Sequence, residues 1–278
     1  MSFKKIALRT TGLGLNILTR INAQKAGKWG LDLFCLPMAK KLKAHQKSYL
    51  LNACHKTLDV HGQKVQTYRW GNGAKKILFV HGWASHSYRW KLFVELLKEG
   101  DYSIYALDAP GHGLSGGRML TLPLYSEIIE TFTREIGPWD AIVGHSFGGY
   151  AIINWLHQHP QSPYLKAAIL AAPGEVEDFM QYHYQLMKLS KASIRSLENE
   201  FQRRVHKKPS DFSAALLAKD FTYPCLIVHD EEDKDASAAY SKRLHKVWSN
   251  SQLILTKGLG HSLKSIELTK TILQFLRS

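Results

Sequence analysis

At about 150 residues per domain, the 278 residues leave room for one large domain or two small ones. A composition of 45% hydrophobic and 22% charged residues excludes collagen, a long coiled coil, a wholly disordered chain and a disulfide-stapled miniprotein. The net charge of +14 is local: residues 1–50 hold ten cations and one acid, Asp32, which argues against a nucleic-acid-binding protein covered in basic surface.

Residues 1–51 read as a basic helical extension, with Ile6, Leu13, Ile17 and Ile21 at helical spacing and cations between them. Arg9 follows Lys4 and Lys5 too closely for a secretory signal. Only ten uncharged residues separate Arg9 from Arg20, against the ~20 a transmembrane helix needs. The first reading is therefore a helix whose apolar stripe packs on the main domain. The second is a contact between this basic N-terminus and an anionic membrane surface. Cys35, Cys54 and Cys225 form neither an even framework nor a C-x-x-C pattern, which fits a reducing compartment. The expected location is the cytoplasm, membrane-peripheral if the second reading holds.

From residue 52 the pattern changes. Leu58, Val60, Val65, Thr67 and Tyr68 alternate around His61-Gly62, as in an edge hairpin. Strands at 77–80, 102–107, 141–143 and 167–170 then alternate with helices at 88–98, 123–136 and 148–157. Residues 175–221 break the rhythm, being helical, highly charged and without a strand candidate. Alternation resumes with a strand at 225–229, a helix around 236–248, a strand at 253–255 and a closing helix at 262–276. Such an order implies an α/β domain, 52–278, with a mostly parallel sheet covered on both faces. The 175–221 stretch reads as an inserted helical lid.

Gly144-His-Ser-Phe-Gly-Gly149 is a G-x-S-x-G pattern between a strand and a helix. A tight strand-to-helix turn lifts the Ser146 hydroxyl above the sheet edge, and side chains at positions 144 and 148 would collide across the turn. The helix that follows aims its N-terminal amides at the serine. A serine needs a base and an orienting acid, which in this architecture follow in the order Ser, Asp/Glu, His, each past a later strand. The strand at 225–229 precedes Asp230-Glu-Glu-Asp-Lys-Asp235, and the last strand precedes Gly258-Leu-Gly-His261. His261 is the candidate base. Asp233 is the candidate acid, four residues beyond its strand; Asp230 is too close, and Asp235 reads as beginning or capping the next helix. His145, His81 and His112 are expected to brace or pack. The backbone N–H groups of Trp83 and Phe147 are the candidate oxyanion hole.

These segments resemble the α/β-hydrolase superfamily: His81-Gly-Trp83, Asp108-Ala-Pro-Gly-His-Gly-Leu-Ser115, Gly144–Gly149, the Asp233 loop and Gly258–His261. The likeness spans residues 57–278. It implies a sheet of about eight strands, a Ser146–Asp233–His261 triad, and neither cofactor nor metal. A strand ending His229-Asp230, where His-Gly is common in the family, is a departure that leaves the acid's position intact. The resulting expectation is a carboxylesterase-like serine hydrolase taking a small-molecule acyl substrate, with no nucleic acid as partner. Trp83, Trp90, Phe147, Phe179, Tyr182 and Tyr184 favour an apolar pocket. The same triad serves C–C bond hydrolysis, thioester hydrolysis or acyl transfer. A non-catalytic binding protein or a membrane-surface protein on the same fold is the alternative from another class.

Overall fold

The computed structural model describes residues 3–37, 39, 41–161 and 165–278; of the expected N-terminal helical stretch, Met1, Ser2, Met38 and Lys40 lie outside them. Its strands are β1 (Cys54–Val60), β2 (Gln63–Trp70), β3 (Lys75–Val80), β4 (Tyr102–Leu107), β5 (Ala141–His145), β6 (Lys166–Leu170), β7 (Cys225–Asp230) and β8 (Ser251–Thr256). The helices are α1 (Phe3–Ile21), α2 (Ala23–Phe34), α3 (Ala44–Leu51), α4 (Lys91–Leu97), α5 (Leu122–Ile136), α6 (Phe147–Gln158), α7 (Val176–Met187), α8 (Lys191–Val205), α9 (Ala214–Leu217), α10 (Ala238–Val247) and α11 (Ile266–Arg277).

Two compact units share these elements, one comprising 37–174 and 217–278 and the other 1–36 and 175–216. In the first, eight strands form one sheet in the order β1-β2-β4-β3-β5-β6-β7-β8. β1 and β2 pair antiparallel through the His61-Gly62 turn, and β2 pairs antiparallel with β4. From β4 onward every pairing is parallel. The central strands β4, β5 and β7 are buried along their whole length, as strands covered on both faces must be. Phe79, Val143, Leu170 and Leu226 meet Trp90 of the loop before α4 and Ile272 of α11 in one core. Leu50 of α3 joins that core, so residues 37–51 go with the sheet rather than with the N-terminal helices.

Parallel strands put all their C-terminal ends on one edge, where ligands bind in open α/β sheets. Register aligns those ends: Val80 pairs with Gly144, His145 with Leu170, and Asp230 with Thr256. The loops after β3, β5, β7 and β8 therefore open on the same edge. These loops carry Trp83, Ser146, Asp233 and His261.

The helical unit pairs α1 and α2 with the helices of residues 175–216. Met180, Tyr184 and Leu197 form its small core, with Phe34 and Phe201 packed against them. Tyr184, expected beside a substrate pocket, belongs to that core. Phe179 stacks edge-on against Phe34 at 5.4 Å. The α1 stripe expected to pack runs the other way: Leu15 is buried, while Ile6, Leu13, Ile17 and Ile21 face solvent. Among the described residues no helix is long and apolar enough to cross a membrane.

Candidate active site

Ser146 sits between β5 and α6 at φ 53°, ψ −125°, in the left-handed region that a residue with a Cβ occupies only under strain. Its N–H is anchored to the Leu170 carbonyl at 2.8 Å, which holds the turn to β6. A Cβ at position 144 would stand 2.6 Å from Gly149 Cα, a collision across the turn. At position 148 the obstacle is different from the one the pattern suggests. There a Cβ would stand 2.4 Å from the carbonyl oxygens of both Val80 and His81, on the end of β3. Gly148 thus lets α6 start directly against the β3 loop.

The same closeness governs Gly82, whose added Cβ would lie 2.8 Å from Ser146 Cβ. Trp83 follows it, and its ring meets that of Phe147 edge-on at 5.5 Å. The Phe147 amide is the first of α6, where a helix N–H has no acceptor within the helix. His81 and His112 brace this loop. His81 Nδ1 donates to Gly82 O at 2.7 Å, and its Nε2 accepts from the Ala109 N–H at 3.0 Å. His112 Nε2 accepts from the Ala84 N–H at 3.0 Å. Burial drives both rings toward the neutral form, in which one nitrogen can accept. Asp108, fully buried below them, accepts from the Ser87 N–H and the Tyr68 hydroxyl, each at 2.7 Å.

Ser146, His261 and Asp233 are brought together. His261 Nε2 lies 2.9 Å from Ser146 Oγ, and His261 Nδ1 lies 2.7 Å from Asp233 Oδ2. With a carboxylate on Nδ1, that nitrogen carries the proton, and Nε2 is left to accept from the serine hydroxyl. The Asp233 side chain is fully buried, whereas that of His261 keeps 23% of its surface exposed. Asp233 Oδ1 accepts from the N–H groups of Asp235 and Ala236 at 2.8 and 3.1 Å, which fixes the carboxylate plane.

Three supporting residues have roles that the sequence reading did not assign, although His229 and Asp230 stood out there as an unusual strand end. His229, buried at the end of β7, accepts at Nδ1 from Ser241 Oγ (2.7 Å) and donates from Nε2 to Ala236 O (2.9 Å). The same Nε2 stands 3.2 Å from Asp233 Oδ2. Burial keeps this imidazole neutral. Asp230 gathers the Glu232 N–H, the Thr256 hydroxyl and the Leu259 N–H within 3.0 Å, tying β7 to the loop that carries His261. Burial would push its pKa up, but the hydrogen bonds from Leu259, Thr256, Glu232 and Gly260 win and hold it low. Arg89 reaches His145, whose Nε2 lies 2.7 Å from the His261 carbonyl. Asp235, expected to cap the next helix, does not: Ser237 caps α10.

Asp233, Asp235 and His261 each offer one ligand atom within 4.8 Å of the others. Two of the three already hold each other by the 2.7 Å contact between Asp233 and His261. An open recess of about 290 Å³ borders His261, and its other walls are Glu232, Lys234, Asp235, Gly258 and Gly260. The lining of that recess is mostly polar and charged.

No curated protein sequence matches the chain. Many solved structures resemble it in fold, among them the following three. Alpha/beta hydrolase domain-containing protein 10 from mouse is 16% identical, with a TM-score of 0.65 over 81% of this chain and 99% of that one. The meta-cleavage product hydrolase of Pseudomonas fluorescens is 17% identical, with a TM-score of 0.60 over 80% and 97%. An esterase from Exiguobacterium antarcticum is 16% identical, with a TM-score of 0.61 over 79% and 97%. At these identities the likeness establishes the fold. The family model described as serine aminopeptidase, S33 (Hydrolase_4) matches residues 71–213, just over half the chain, taking in the Gly82 loop and the Ser146 turn. The chain belongs to that family of α/β hydrolases.

Proposed function

We propose that the protein is a serine hydrolase that cleaves an ester-type acyl bond of a small, apolar substrate. The observation that carries this reading is the continuous chain from Ser146 Oγ through the His261 imidazole to the buried Asp233 carboxylate. Neutral His261 removes the Ser146 proton through Nε2 as Oγ attacks the acyl carbon. The carbonyl π electrons move onto oxygen, and the N–H groups of Trp83 and Phe147 receive that charge, each worth about 3 kcal/mol. Collapse of the tetrahedral intermediate expels the alkoxide, which takes the proton back from His261 and leaves as alcohol. Water then repeats the cycle on the acyl-enzyme, losing a proton to Nε2, and frees the acid and Ser146. Asp233 holds the Nδ1–H tautomer and stabilises the imidazolium throughout.

The Trp83 and Phe147 rings beside Ser146 favour an apolar acyl group. An ester is preferred over an amide or a C–C bond because an alkoxide leaves with the least further assistance.

The deciding experiment combines fluorophosphonate labelling with a panel of p-nitrophenyl esters, acyl thioesters and C–C diketones. Ester turnover together with a label on Ser146 that Ser146→Ala removes supports the reading. Preferential thioester or diketone turnover would transfer the same machinery to another bond. Failure of any label to attach to Ser146 would make the chain a non-catalytic member of its family.

A further inference from the structure

A helix that serves only to pack turns its apolar residues inward. In the helical unit α1 does the reverse. Its inner side carries one large apolar residue, Leu15, between small and polar ones: a Cβ at Gly12 would stand 1.8 Å from the Met187 carbonyl oxygen, and Thr19 Oγ1 meets Ser193 Oγ at 2.9 Å. Asn16 Nδ2 donates to the Lys188 carbonyl at 3.0 Å. With that side committed, Ile6, Leu13, Ile17 and Ile21 line up on the other, within about 80° of one another at 100° per residue. They are between 47% and 78% exposed. α2 also exposes apolar residues, burying Ala26, Gly27, Gly30 and Leu31 while Trp29 and Leu33, one turn apart, are 52% and 43% exposed. Isolated exposed apolar residues need no explanation, but continuous stripes on two successive helices mark a surface that is covered in use.

Charge selects what covers it. Arg20, Lys25 and Lys28 are exposed on the same two helices, and Lys25 Nζ stands over the Trp29 ring at 5.5 Å. The only acid of residues 1–50, Asp32, is occupied by Arg204 at 2.6 Å. A second copy of the chain would set one strongly cationic segment against another. A polynucleotide would take the cations and leave the isoleucines in water. Lipid with anionic headgroups takes both, and helices too short to span can still lie in the interface.

We propose that the outer faces of α1 and α2 dock on an anionic lipid surface. The Ile6–Leu13–Ile17–Ile21 stripe and Trp29 enter the headgroup–acyl boundary, and the neighbouring cations meet the lipid phosphates. The inference is independent of the catalytic reading, because none of its residues belongs to the Ser146 site.

Flotation of the full chain with phosphatidylcholine vesicles, with and without phosphatidylserine, tests it. Three proteins are compared: the native sequence, an apolar-stripe variant (Leu13→Gln, Ile17→Gln, Ile21→Gln) and a charge variant (Arg20→Gln, Lys25→Gln, Lys28→Gln). All six positions are exposed, and circular dichroism with urea melts confirms that each variant is folded. The native chain should float with phosphatidylserine vesicles and be released by salt. The stripe variant should bind at least about tenfold more weakly. The charge variant should lose roughly fivefold per cation removed. No flotation of the native chain, equal flotation on pure phosphatidylcholine, or binding untouched by the stripe substitutions overturns the proposal. So does a dimer, seen by light scattering, that the stripe substitutions dissolve, since a second copy would then be the occupant.

Discussion

The Arg89 guanidinium lies 2.7 Å from His145 Nδ1, and His145 Nε2 in turn lies 2.7 Å from the carbonyl oxygen of His261. Arg89 can only donate, so Nδ1 accepts and Nε2–H donates to that carbonyl. Burial and the adjacent guanidinium both hold His145 well below its ordinary pKa, so the tautomer is fixed and neutral. A second Arg89 nitrogen stands 3.3 Å from the Ser262 carbonyl. The loop carrying His261 is thereby clamped from behind by a charge with no carboxylate partner among the described residues. Burial alone pushes Arg89 down to about 9, so it remains cationic at neutral pH.

Arg89→Met should therefore cost more in turnover than in folding. Losing the clamp misplaces the imidazole, for roughly a tenfold to hundredfold fall in kcat with KM little changed. Removing an unpaired half-buried charge offsets much of the lost hydrogen bonding, so unfolding free energy should move by no more than about 2 kcal/mol. Ester kinetics and urea melts on the same preparation check both halves. A rise in KM without a fall in kcat would mean that Arg89 contacts substrate instead.

Ser146 stores backbone strain that catalysis needs and folding does not. At φ 53° a glycine is relaxed where serine is not. Ser146→Gly should abolish ester hydrolysis and raise stability by about 1 kcal/mol. Ser146→Ala should lose roughly six orders of magnitude in turnover with the strain retained. Denaturant melts of the two variants should differ, and equal midpoints would remove strain from the account.

What was legible in the sequence follows from how local each constraint is. The Gly144 half of the turn can be read from spacing because its collision, with Gly149, lies within a few residues, whereas Gly148 answers to Val80 and His81 at the end of β3. Asp233 and His261 can be read from their order after β7 and β8, since strand ends are fixed by the sheet. Arg89 could not be: it lies in a run of aromatic residues, and its partner His145 is 56 positions away. The pairing of α1 and α2 with residues 175–216 was hidden for the same reason. A periodic apolar stripe also says only that one side of a helix is apolar, not which side faces inward. Gly12, Leu15 and Thr19 decided that for α1 through contacts with Met187 and Ser193.

The acidic loop after β7 separates three aspartates by role. Asp233→Asn reverses the hydrogen-bond demand at His261 Nδ1 and should lower kcat by about four orders of magnitude. Asp235→Asn should stay within about threefold of the native enzyme, because only the Asp235 N–H, which asparagine keeps, is used at Asp233. Asp230→Asn keeps the shape but weakens three hydrogen bonds: one from Glu232 in its own loop, one from Thr256 at the end of β8 and one from Leu259 of the His261 loop. It should destabilise the fold by about 1–3 kcal/mol. Steady-state kinetics and urea melts on the three single variants distinguish the roles, and a severe kcat loss in Asp235→Asn would reassign the acid.

Acid sensitivity should be concentrated in the helical unit. Hydrogen bonds from Arg203 and Arg204 hold the Glu200 carboxylate down to about 2, from an ordinary 4.5. Arg203 binds it through two nitrogens at 2.8 Å. Arg204 bonds it at 2.6 Å and extends to Asp32 of α2, so Glu200 is the hub joining α8 to α2. A depressed carboxylate stabilises the fold fully above its unfolded pKa and loses that contribution as pH falls through its folded value. Here the window runs from about 4.5 down to about 2. The native protein should lose stability across that window, and Glu200→Gln should be less stable at pH 7 while showing a flatter acid limb. Urea midpoints of both proteins at a series of pH values measure the difference. Parallel acid limbs would show that Glu200 is not the group whose protonation loosens α8 from α2.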